Sequence, residues 1–213
     1  MSKPSTSNPG MRFDLQLIAS WIRPGAKVLD LGCGWGDLLQ FLVAEKQVQG
    51  AGIEIYEERV AQCVRHGLSV VQGDLNAEIR DYPDQSFDYV VLSQTLQQVY
   101  DPAAIIHEML RVGRFGIVSF PNFSHWRIRL QLLFRGQAPV SRELPYQWHD
   151  TPNIRVITIE DFRSFCRKQS VRILEQIAIN TFYHDTRGHV LHLLPNLRGT
   201  YGVFLLARGD AVG

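Results

Sequence analysis

Three glycines, Gly32, Gly34 and Gly36, alternate with other residues in the run VLDLGCGWGDLL, Val28 to Leu39. An apolar strand enters the run and a helical pattern leaves it. Backbone that bare at a strand-to-helix turn lets a ligand approach closely, and the helix start offers N–H groups to an anion. Dinucleotide loops use the same place, but usually with the third glycine one residue further on. Asp30, two residues before Gly32, would repel a pyrophosphate there. The bland reading is a tight turn with no ligand.

S-adenosylmethionine reverses the sign. It has no phosphate, and it carries a sulfonium and an α-ammonium that a carboxylate attracts. Three later stations line up with that reading. Glu54 ends the second strand, in GAGIEI, where a carboxylate can take both ribose hydroxyls; alone, it reads equally as a solvated loop charge. Asp74 and Leu75 in VVQGDL can receive the adenine amine and a ring face, although a lone Asp there is more often a turn residue. Ser93 and Gln94, in FDYVVLSQTLQQV, can line the cofactor floor. S-adenosylhomocysteine fits the same stations.

Catalytic groups are harder to find. Methyl transfer needs a positioned nucleophile, and a base only where that nucleophile holds its proton at neutral pH. After the fourth strand stand Gln94, Gln97 and Gln98, which hydrogen-bond but do not usefully take a proton. His125 and His149 are the base candidates, though each can equally pack or cap. His107 reads as a boundary residue. His184, His189 and His192 lack a helical frame and a companion Glu, so no metal site is expected. Cys33, Cys63 and Cys166 have no metal-like spacing and read as reduced thiols.

The elements that must hold these residues alternate. Strands are expected at about 27–31, 50–55, 69–72, 88–93, 115–120, 171–179 and 202–207. Helices are expected at about 12–22, 37–46, 57–66, 102–112 and 158–168. Asp101–Pro102 reads as an N-cap with proline at the first helical position, and Thr158 with Asp161 approximates a capping box. The pattern is α/β: a doubly wound, mostly parallel seven-stranded sheet with an antiparallel edge strand, as in Rossmann-like folds. Residues 11–208 are expected to form one domain and residues 1–10 a disordered tail. The 213 residues carry a net charge of +1 and a hydrophobic fraction of 45%. No global field favours nucleic acid or an anionic membrane, no run suits a membrane span, and the cytoplasm is the expected compartment.

Residues 121–157 break the alternation as a helical and loop cap after the fifth strand, placed above the C-terminal ends of the strands. After Pro121 a helix is expected, with Phe123, Trp126, Leu130, Leu133 and Phe134 on one face and Arg127 and Arg129 off it. Tyr146, Trp148 and His149 follow. The cap either packs on the sheet, forms a substrate pocket, or docks a partner through Trp126, Arg127, Tyr146 and Trp148.

Residues 12–120 and 158–208 resemble class I S-adenosylmethionine-dependent methyltransferases. That resemblance implies a last strand inserted antiparallel and cofactor contacts at Asp30, Gly32, Gly34, Gly36, Glu54, Asp74 and Leu75. The glycine loop, with SFPNFSHWRIRLQLLFRGQAPV and LPYQWHDTPNIRVITIEDF, resembles the MetW family over about residues 11–208. This resemblance implies a role in methionine biosynthesis, with the homoserine O-acyltransferase MetX as partner, which the fold would support or regulate. The alternative is a free-standing methyltransferase acting on a small molecule.

Overall fold

The computed structural model describes residues 10–140, 146–147, 149–181 and 185–209. Five parallel strands form one side of its sheet: β1 (Lys27–Leu31), β2 (Gln49–Glu54), β3 (Ser69–Gln72), β4 (Phe87–Ser93) and β5 (Gly113–Pro121). Three more, β6 (Val171–Asn180), β7 (His189–Leu191) and β8 (Tyr201–Arg208), complete the order β3-β2-β1-β4-β5-β8-β6-β7. β8 lies between β5 and β6, antiparallel to both, and β7 makes an antiparallel edge on β6. The sheet therefore has eight strands among the described residues, where seven were expected. The eighth, His-Val-Leu, is too short for alternation to reveal it.

Adjacent strand residues point to opposite faces, and the apolar runs supply both. Leu29, Val90, Val118 and Phe204 join one core, with Ile106, Met109 and Leu110 of α5 (Pro102–Val112) and Phe162 of α7 (Ile159–Lys168). Val28, Val91, Ile117 and Val203 join the other, with Leu15 and Ile18 of α1 (Phe13–Trp21) and Leu38 and Leu42 of α2 (Asp37–Lys46). A packed aromatic cluster anchors the first core, with Phe162 4.7 Å from Phe204 and 5.0 Å from Phe120.

The caps explain where helices begin. The Asp101 carboxylate accepts from the Ala103 and Ala104 N–H groups at 3.1 and 3.0 Å, with Pro102 in the first turn. Thr158 Oγ1 accepts from Asp161 N–H at 3.0 Å and donates to the Asp161 carboxylate at 2.7 Å. α3 (Glu57–Arg65) and the short α4 (Leu75–Glu78) and α8 (Pro195–Arg198) complete the connections, apart from the cap helix.

That cap helix, α6 (Trp126–Arg135), follows β5. Its expected apolar face does not pack on the sheet: Trp126, Leu130, Leu133 and Phe134 are exposed, and Ile128 is its buried residue. Asn122 fixes its entrance, donating to Asn196 O and Gly199 O and accepting from Ser124 and Ile159 N–H. Those four bonds tie the entrance of α6 to α7 and α8, so α6 is held by its first turn. No helix among the described residues is long and apolar enough to cross a membrane.

Candidate functional site

The strand order reverses between β1 and β4, which opens a crevice at the C-terminal ends of the strands. β1 runs into Gly32, Gly34 and Gly36, all at positive φ. A Cβ on Gly32 would lie 2.9 Å from Thr95 Oγ1, so that position excludes a side chain. Gly34 meets nothing within 4 Å, so its bare backbone borders open space. Its N–H donates to Glu54 Oε2 at 2.8 Å. Ile55 and Tyr56 N–H both donate to Glu54 Oε1 at 3.0 Å.

A carboxylate has about four lone-pair sites, and three of Glu54's are thus engaged by backbone. The side chain ties the end of β2 to the glycine loop while still facing the crevice. Arg59 stands 3.7 Å from Glu54 Oε2 and 4.6 Å over the Tyr56 ring.

Asp30 is 3% exposed. Burial pushes its carboxyl up to about 7, against the pull of Arg12; the neighbouring Glu54 adds to the rise. Arg12 grips Asp14 through Nε and Nη2 at 3.1 and 3.0 Å. Gln94 Nε2 donates to the same Asp14 at 2.7 Å. Gln94 itself sits at φ +52, held there by its N–H bond to Ser119 O at 2.8 Å. That backbone is costly for a residue with a Cβ and persists because the surroundings fix it. Gln97 Nε2 donates to Gln94 O at 2.7 Å, which leaves Gln97 Oε1 buried with no donor among the described residues.

These groups wall a cavity of about 580 Å³, within the usual range for small-molecule sites. It brings together Asp30, Gly32, Gly34, Glu54, Asp74, Leu75 and Gln94. Gly36 stands back from it: a Cβ there would meet Leu68 Cδ1 at 2.6 Å, so it serves packing of the loop. Asp74 lines the cavity and also caps α4, its Oδ1 accepting from Asn76 N–H at 2.9 Å.

The insertion contributes Tyr146 and Asn153 to the far wall, beside Tyr100. His125 does not line the cavity; its Nδ1 accepts from Arg127 N–H at 3.3 Å, capping α6. His149 is exposed in a turn away from the wall. Trp126 and Arg127 stack on each other at 5.3 Å on the exposed side of α6. Trp148 and His184 lie outside the described residues, and His189 is exposed on β7.

Sequence reasoning missed Arg12, Trp35, Arg59, Thr95 and Tyr100, all on the wall. Trp35 carried a signal, being inside the glycine loop; Arg12 carried none, because only the fold returns it to the crevice. Chemically, the wall is rich in hydrogen-bond acceptors and carboxylates around β1 and β2, and in amide and tyrosine groups around β4. No histidine lines it among the described residues.

Comparisons with known proteins agree with this architecture. A family model described as methionine biosynthesis protein MetW matches residues 12–206. The chain is 36% identical over 176 residues to the bifunctional methionine biosynthesis protein MetXA/MetW of Rhodopirellula baltica, covering 78% of this chain and 28% of that protein. It is 30% identical over 134 residues to a demethylmenaquinone methyltransferase of Listeria monocytogenes, covering 56% of each. The chain thus spans about a quarter of the first relative and just over half of the second. Among solved structures, an S-adenosylmethionine-dependent methyltransferase from Archaeoglobus fulgidus matches with a TM-score of 0.66 at 16% identity, over 90% of each chain.

Proposed function

The chain belongs to the MetW family of methionine biosynthesis proteins, and from that premise we propose that it binds S-adenosylmethionine or S-adenosylhomocysteine and supports or regulates the homoserine O-acyltransferase MetX in the cytoplasm. In this reading residues 11–208 are one cofactor-binding domain, with 121–157 as its cap.

The observation that carries the cofactor is the buried acid Asp30 beside the open backbone of Gly34. A buried carboxyl at the mouth of a glycine loop disfavours a phosphate and favours a cation. The residues fit the group. Asp30 would face its positive end, and Gly34 would let the nucleoside lie against the loop. Glu54 has an acceptor site left for the ribose, and Asp74 with Leu75 would meet the adenine. The chemistry such a cofactor supplies is an electrophilic methyl on a positively charged sulfur.

MetX as partner is supported by the relative whose name joins MetXA and MetW in one polypeptide. A ligand that binds one state of a complex biases that complex, so a product of the pathway can report on its first committed step. Calorimetric titration with both sulfur nucleotides, with and without MetX, tests the reading. Binding with coupling to MetX and a changed acyltransferase rate is expected. Absence of nucleotide binding removes the cofactor assignment, and absence of any complex removes the partner.

A second reading, a free-standing small-molecule methyltransferase, is favoured by the extension of the cavity to Tyr100, Tyr146 and Asn153. That wall offers hydrogen bonds and ring faces to an acceptor, and positioning alone can serve a good nucleophile. Screening metabolites for S-adenosylhomocysteine formation distinguishes the two.

A further inference from the structure

The helix α6 reads WRIRLQLLFR, with Trp126, Leu130, Leu133 and Phe134 recurring at the spacing of one helical face. In a soluble fold that face ordinarily meets the core. Here Leu133 is 74% exposed and Phe134 77%, with Trp126 and Leu130 above 40%. Ile128 is the buried residue of the helix, and the described residues leave the C-terminal part of the stripe, Leu133 and Phe134, largely uncovered. A shallow depression lined by Leu130, Gln131, Phe134 and Arg135 runs along it. None of α6 lines the cofactor cavity, so the helix is not a lid over that site.

The charge along this segment of chain is one-sided. Arg127, Arg129 and Arg135 lie on the helix, and no Asp or Glu occurs from residue 122 to residue 140. Arg129 is spent on the helix entrance, donating to Ser124 O at 2.8 Å. Arg127 lies over the Trp126 ring, and Arg135 borders the depression. An apolar ridge with cationic flanks fits an apolar groove rimmed by carboxylates, the usual way an amphipathic helix is received.

We propose that the exposed face of α6, centred on Leu130, Leu133 and Phe134 and flanked by Arg127 and Arg135, is the surface on which the acyltransferase docks. The inference rests on the partner reading above and adds where that partner sits and what its surface offers: an acidic, apolar groove. A protein groove suits α6 better than a bilayer. The helix has ten residues, a span of about 15 Å, and is held at its first turn. A groove covers a ridge of that size from both sides, while a membrane covers one side.

The experiment measures complex formation between the full chain and its cognate homoserine O-acyltransferase by sedimentation and calorimetry. It compares wild type with Leu133→Glu, Phe134→Glu and Arg127→Glu/Arg135→Glu. Because these side chains are exposed, the variants keep wild-type thermal stability and nucleotide affinity. The apolar variants are expected to weaken the complex by about 30-fold or more, and the charge reversal to lower the association rate and its salt dependence. Wild type binding with variants binding equally well overturns the surface and leaves the partner reading intact. No complex with wild type overturns both. Two further controls use wild type and Phe134→Glu alone. Variant-sensitive binding to phosphatidylserine vesicles, or variant-sensitive self-association, with acyltransferase binding unchanged, assigns the face to lipid or to a second copy and overturns the proposal.

Discussion

Asp30 is the residue on which pH acts. Its carboxyl is held near 7 by burial, against Arg12. A cation in the cavity selects the ionised form, so the proposed binding of S-adenosylmethionine would expel a proton at pH 6. Affinity is therefore expected to rise about tenfold per unit as pH climbs towards 7 and to level off above it. Titrations in buffers of different ionisation enthalpy read that proton directly, and Asp30→Asn should bind weakly with a flat profile. Arg12→Ala removes the opposing charge and moves the midpoint upwards. For folding the sign is opposite. A carboxyl raised from 3.8 to about 7 favours the fold fully below its unfolded value, and that contribution is lost as pH rises towards 7. Ligand-free Asp30→Asn should thus exceed wild type in urea denaturation at pH 8, by about 1–2 kcal/mol. Asp30 and Glu54 were legible because each is a carboxylate at a strand end. Glu54's three backbone bonds were not, since they depend on how the next residues and the glycine loop curl around it.

At the scale of elements, the strands and long helices were legible within a residue or two because alternation and caps marked them. Asp101 and Thr158 make the capping bonds their types suggest. Asp101→Ala should cost about 1 kcal/mol in thermal or denaturant unfolding. The misses share a cause, shortness: α4, β7 and α8 have three or four residues each, too few to show a period. α6 was found, but its direction was not. A periodic apolar stripe says that a face exists and is silent about what covers it. Asn122 was invisible for the opposite reason: one amide among loop residues, it gathers four bonds only once β5, α7 and α8 have met. Asn122→Ala leaves several buried backbone groups without partners and is expected to lower stability by about 2–4 kcal/mol. Calorimetric unfolding measures the loss, and proteolysis reports whether the α6 segment loosens first.

The whole molecule divides most of its buried apolar residues between the two faces of one sheet; Cys166 lies in one core, while Cys63 packs in a smaller cluster with Leu39, Leu68 and Cys33, the last of which also borders the cavity. Cys33, Cys63 and Cys166 are buried, and burial raises each thiol, Cys166 to about 12. A thiol held protonated and covered does not react. Ellman's reagent should therefore leave Cys63 and Cys166 unlabelled while the fold is intact and label three thiols per chain in denaturant, which makes those two a probe of global opening. The parallel half of the sheet was legible from helix-strand alternation. The place of β8 followed only from likeness to a family, because nothing in a strand's own residues says which neighbours it separates. That placement bears on birth at the ribosome. β5 and β6 emerge with bare hydrogen-bonding edges and must wait for residues 201–208, translated after the other described strands, to fill the gap between them. Until then a nascent chain offers sticky rims to its neighbours on the polysome, so a stop codon before Tyr201 is expected to send the product into inclusion bodies.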